Sequence, residues 1–123
     1  MLAIIGERIK SKGYKKTLIL GGYVTITKRT YDKYLEDTLY LDEDENSLVY
    51  KLIEAVKINN LDKVEQLAKK LIEIFSNYKM DSILFGCTEL AISKTLQEYN
   101  DVTIFDSNEL YAEYAVGYMK GKK

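Results

Sequence analysis

The feature that most constrains this chain is a set of short runs that are apolar almost throughout, each halted by turn-forming residues. Thr17-Leu18-Ile19-Leu20 stops at Gly21-Gly22, and Ile83-Leu84-Phe85 stops at Gly86. Val102-Thr103-Ile104-Phe105 stops at Asp106-Ser107, and Thr38-Leu39-Tyr40-Leu41 runs into the acidic stretch Asp42-Glu43-Asp44-Glu45. A strand with one wet face alternates apolar and polar residues; a strand buried on both faces does not. Between these runs lie stretches of helical character. The clearest spans 61–75, where Leu61, Val64, Leu67, Ala68, Leu71, Ile72 and Phe75 share one face and charged residues fill the other. Further helices are expected at 2–12, ended by Gly13, and at 28–36, 46–58, 88–98 and 108–119, with the acidic run favouring the start of the third of these. Strands alternating with helices predict an α/β fold: a four-stranded parallel sheet with helices on both faces.

The 123 residues fit one domain, 1–123, with residues 1–13 as an N-terminal helix. At 46% hydrophobic residues the chain supports a real core, and no linker or repeat divides it. Eighteen basic residues against 19 acidic leave a net charge of −1, which is no electrostatic footprint for nucleic acid or an anionic membrane. No apolar run approaches the roughly 20 residues that span a bilayer. The opening Met1-Leu2-Ala3-Ile4-Ile5 is too short for a signal-peptide core, so a cytoplasmic location is expected. There is no histidine and a single cysteine. A serine–histidine triad, an internal disulfide and a four-cysteine metal site are therefore outside the chain's reach, and no metal is expected.

In an open parallel sheet, ligands bind at the carboxyl ends of the strands. Three loops qualify: Gly21-Gly22-Tyr23-Val24-Thr25, Gly86-Cys87-Thr88-Glu89 and Asp106-Ser107-Asn108. The second carries the only thiol at a strand-to-helix turn. A helix start there would favour the thiolate, with Thr88 as the cap, so Cys87 is expected to be more acidic than free cysteine. The competing reading is a buried cysteine acting as a small apolar residue. Other features read as structure. Gly21-Gly22 lacks the Gly-Lys-Ser/Thr of a phosphate loop, and Asp42–Glu45 lacks the glycine and distal glutamate of a calcium loop. Tyr111, Tyr114 and Tyr118 fit the packing face of one helix.

The segment Ile83-Leu84-Phe85-Gly86-Cys87-Thr88-Glu89-Leu90 resembles the apolar strand and Gly-Cys-Thr-Glu-Leu motif of the aspartate/glutamate racemase superfamily. Three further stretches match in order. They are Leu18 to Thr25 followed by Tyr31, Asp44 to Ile53, and Val102 to Ser107, so that the resemblance covers residues 10–119. It implies a cofactor-independent amino-acid racemase in which Cys87 is one of two thiol acid/base groups. Thr88, Glu89, Gly21, Gly22 and Thr25 are the substrate-binding positions that it implies, and the substrate is a small carboxylate or amino acid. The family's usual members are about twice as long, with two similar domains facing each other, and this chain is similar to the second. The family's Gly-Thr after the first strand reads Gly21-Gly22 here. A homodimer or a complementary half-domain would then supply the second base across a face rimmed by Tyr23, Val24 and Tyr31, with residues 108–119 docking on the neighbour. In a symmetric dimer the two Cys87 thiols would flank one ligand on the axis. The alternative is a catalytically incomplete racemase-like domain or fragment that serves as a small-carboxylate binding or interaction module.

Overall fold

In the computed structural model, which describes residues 2–107, three of the apolar runs occupy neighbouring positions in one sheet. The elements run α1 (Leu2–Ser11), β1 (Lys16–Leu20), α2 (Tyr23–Thr27), β2 (Asp37–Leu39), α3 (Glu43–Lys57), α4 (Leu61–Phe75), β3 (Ser82–Phe85), a 3-10 helix (Thr88–Ile92), α5 (Lys94–Gln97) and β4 (Thr103–Asp106). All neighbouring strands pair in parallel, in the order β2-β1-β3-β4. The α/β architecture expected from the apolar runs is the one observed.

Both faces of the sheet are covered, which is why its strands need no polar alternation. Leu18 and Leu20 of β1 and Ile83 and Phe85 of β3 enter one core with Val49, Leu52 and Ile53 of α3 and Val64, Leu67, Ala68 and Leu71 of α4. Ile19, Leu84 and Phe105 point the other way, to Ile5 and Ile9 of α1 and to Ile26, Tyr31 and Leu35. Between β1 and β3 the buried hydroxyls of Thr17 and Ser82 satisfy each other at 2.8 Å.

The helix ends follow local chemistry. Gly13, at φ +89°, turns the chain after α1, a conformation that glycine adopts at little cost. Asp42 and Glu45 form a reciprocal capping box at the start of α3: the Asp42 carboxylate accepts from the Glu45 N–H at 2.8 Å, and the Glu45 carboxylate accepts from the Asp42 N–H at 3.0 Å. The acidic run therefore lies in the first turn of α3, which begins three residues earlier than the expected 46. The Asn60 side chain caps α4, which spans the expected residues 61–75.

Three segments differ from expectation. The helix expected at 28–36 lies earlier, at Tyr23–Thr27, although Val24-Thr25-Ile26-Thr27 is a β-branched run with poor helix propensity. Extended Gly22 starts it, and Arg29, at φ +49°, ends it. Residues 28–35 then descend in turns that still bury Tyr31 and Leu35. Strand β2 is three residues long, so Tyr40 and Leu41 lie beyond it. The expected 88–98 helix is broken at Ser93, whose extended backbone separates the 3-10 helix from α5. Glu65 of α4 holds that break: its carboxylate accepts from the Ser93 hydroxyl at 2.6 Å and from the Lys94 and Thr95 N–H groups at 3.1 and 3.2 Å. The expected helix at 108–119, with Tyr111, Tyr114 and Tyr118, lies outside the described residues.

Candidate functional site

The sheet register sets the site. Leu20 pairs with Phe85, and Phe85 with Asp106, so β1, β3 and β4 end side by side. The segments that follow them start level with one another at one edge. A backbone bond from the Gly86 N–H to the Leu20 carbonyl, 2.7 Å, ties the first two together.

Gly86 is at the centre of this junction. A Cβ placed on it would lie 3.2 Å from the Leu20 carbonyl oxygen, 3.4 Å from a ring carbon of Tyr31 and 3.5 Å from the Thr25 methyl. A side chain there would press these segments apart by a few tenths of an ångström, so glycine suits the close approach. The Thr25 methyl would also meet a Cβ on buried Gly21 at 3.2 Å, whereas one on Gly22 would meet nothing. Gly21 and Thr25 of the first loop and Gly86 of the second are thus packed together. Gly22 borders open space.

Cys87 follows as the residue that caps the 3-10 helix. Its sulfur is half-buried against the core formed with α3 and α4, and the thiol donates to the Glu89 carboxylate at 2.8 Å. The expectation of an unusually acidic thiol is overturned. Burial pushes the Cys87 thiol up, Glu89 adds to the effect by accepting the S–H bond, and the result is about 11, with the Lys57 cation pulling weakly the other way. The dipole argument fails because the helix after Cys87 is five residues of 3-10 geometry and brings a carboxylate with it. Cys87, not Thr88, occupies the cap position, and the Thr88 side chain lies outside what the structure describes. Glu89, expected at the substrate, accepts the hydrogen bond of the thiol.

Tyr23 and Val24 are 67% and 61% exposed, as expected of a rim. Tyr31 is not on that rim. It is 3% exposed, and its hydroxyl, raised by burial, bonds to Ser107, which fastens the segment after β4 to the turn before β2. One member of the site gave no signal in the sequence. Lys57, in the last turn of α3 and thirty positions away in the chain, lowers the Cys87 thiol weakly through its charge, and Ser107, part of an expected ligand loop, finds Tyr31 only through the fold. A half-buried thiol hydrogen-bonded to a carboxylate makes an arrangement able to hold and exchange a proton.

No protein-family model matches the chain. Solved structures do. An aspartate racemase homologue from Pyrococcus horikoshii is 22% identical with a TM-score of 0.75, over 95% of this chain and 54% of that one. The Picrophilus torridus aspartate racemase is 26% identical with a TM-score of 0.72, over 88% and 46%. A glutamate racemase from Bacillus anthracis is 21% identical with a TM-score of 0.62, over 98% and 48%. The chain therefore has the fold of aspartate and glutamate racemases over about half the length of the structures it matches, and the resemblance carried by its motifs extends to three dimensions.

Proposed function

We propose that this domain forms one side of a cofactor-independent amino-acid racemase site, with Cys87 as the thiol acid/base and an acidic amino acid of the aspartate or glutamate type as substrate. The observation that carries this reading is the placement of Cys87. In a racemase-type fold, the only thiol of the chain stands where strand β3 ends, half-exposed and hydrogen-bonded to a carboxylate.

Racemisation removes the Cα proton from one face and returns a proton to the other. In one direction a base on the facing surface takes the proton, the C–H electron pair moves into the substrate carboxylate system, and the Cys87 S–H delivers its proton to the opposite face, leaving a thiolate. In the other direction that thiolate is the base. A thiol raised to about 11 is neutral at pH 7, which suits the acid role, and its thiolate is a stronger base than an ordinary one. Lys57, whose field reaches Cys87, is placed to attract a substrate carboxylate. The 123 residues contain no second cysteine, so the facing base comes from a second copy of the chain or from a complementary half-domain. Exposed Tyr23 and Val24 suit a surface that such a partner covers.

The test follows Cα–H exchange for deuterium in D2O by NMR, with L- and D-aspartate and L- and D-glutamate, alongside light scattering. Exchange accompanied by racemisation in a dimer is the expected result. Cys87→Ser should lower it about 100-fold or more, and Lys57→Ala should chiefly raise KM. Saturable aspartate binding without any Cα exchange, in a preparation of established oligomeric state, would overturn the racemase reading in favour of a small-carboxylate binding module.

A further inference from the structure

A second concavity lies beyond the candidate site, on the other side of α2. It has a volume of about 480 Å³, within the usual range for small-molecule sites, and sits between α2 and the first turns of α3. Tyr23, Tyr40 and Tyr50 give it aromatic walls, and Glu43, Asn46 and Arg29 give it polar groups.

The polar groups are unequal in what they still offer. Arg29 lies 4.7 Å above the Tyr40 ring and pairs with Asp32 at 3.7 Å. Asp32 also accepts from the Tyr40 hydroxyl at 2.5 Å and from Thr38 at 2.8 Å. The cation of the wall is thus already matched by a carboxylate and a ring. Asn46 is the contrary case. It is 3% exposed, its amide N–H donates to the Leu41 carbonyl at 2.8 Å, and its Oδ1 is buried with no hydrogen-bond partner among the described residues. A buried acceptor left unmatched is uncommon in a native fold and calls for a donor. Tyr50, one helical turn further on, packs edge-to-face on exposed Tyr23 at 5.9 Å. Both rings line the cavity together with Asn46 and Glu43, and a ligand seated there would reach Oδ1 by displacing the rings.

We infer that this cavity is a binding site for a small organic ammonium ion bearing an aromatic or apolar body. Tyrosine faces attract a cation and cover an apolar body, the Glu43 carboxylate supplies the countercharge, and Asn46 Oδ1 accepts one N–H. The last contact separates the ligand class further. A primary or secondary ammonium carries the N–H that Asn46 requires, and a quaternary one does not. An anion in the cavity meets the Glu43 carboxylate and is disfavoured there, with Arg29 already paired to Asp32.

Three probes of similar shape test this on the full chain: 2-phenylethylammonium, its N,N,N-trimethyl analogue and 3-phenylpropionate, each followed by calorimetry and by NMR of the tyrosine rings. The primary ammonium should bind saturably with a Kd near or below about 1 mM, perturbing the rings of Tyr23, Tyr40 and Tyr50. The trimethyl analogue should bind about tenfold more weakly, since it leaves the acceptor unmatched, and the carboxylate should not bind. Glu43→Gln and Tyr23→Ser, both at exposed positions and expected to fold, should each weaken the primary ammonium several-fold. Equal binding of the three probes, or no saturation by the primary ammonium up to about 10 mM, would overturn the assignment. So would unchanged affinity in both variants. The readout is binding alone, so it is independent of whether Cys87 catalyses anything.

Discussion

On one face of the sheet, α3 and α4 lay two 15-residue helices across the strands, each with a side-chain cap, and the core there is mostly aliphatic, with Phe75 and Phe85 fully buried in it. On the other face, α1, the five-residue α2 and the turns at 28–35 do the same task with less regular structure. Tyrosines fill in there: Tyr14, Tyr31, Tyr40 and Tyr50 pack on that side, and the hydroxyls of three of them bond to Thr103, Ser107 and Asp32. Long helices with matched apolar stripes bury most of their area without directional bonds, Asn46 of α3 being a buried polar exception. A face closed by turns needs directional bonds to fix it, and those bonds bring polar atoms to the surface where ligands bind. The Thr25–Gly86–Tyr31 junction and the tyrosine-lined cavity both belong to the second face. Cys87 alone leans to the first, which is how its sulfur comes to be partly desolvated.

This contrast can be broken by substitution. Leu71→Ala, at a fully buried position of α4, should cost about 2–5 kcal/mol in a denaturant melt, with the rate of Cys87 alkylation in the folded protein unchanged. Tyr31→Phe removes one hydroxyl on the other face and should cost only about 1 kcal/mol. Because its ring abuts Gly86, it should nevertheless alter the rate at which iodoacetamide labels Cys87. If the two variants affected labelling alike, the faces would not be separable in the way described.

The smallest expected effect concerns the broken segment after the site. Burial alone would raise the Glu65 carboxyl, but the bonds from Ser93, Thr95 and Lys94 outweigh it and hold it below its ordinary 4.5. A carboxyl lowered by folding stabilises the fold fully above its unfolded value, and the contribution fades as pH falls through the folded value. Wild-type thermal stability should therefore drop between about pH 5 and the acid limit by more than that of Glu65→Gln, and the two curves should converge in acid. Parallel curves would remove Glu65 from the account of that break.

The sequence by itself determined the parallel sheet, because strands buried on both faces leave an unmistakable run of apolar residues, and it determined α4, whose stripe repeats over four turns. It also marked the strand ends that lie side by side in the sheet, by Gly21, Gly86 and Asp106. What it did not determine were the short elements. Tyr23–Thr27 is helical against its β-branched composition because Gly22 and the packing of Ile26 decide it, and the 88–97 segment breaks because Glu65, far away in sequence, supplies the bonds that a continuous helix would have made. The state of Cys87 belongs to this second class. Local sequence placed a helix start behind the thiol and implied an acidic group, but acidity depends on desolvation and on the charges within a few ångströms. Only the tertiary structure sets the α3–α4 core against that sulfur and turns the Glu89 carboxylate to it, and both favour the thiol over the thiolate.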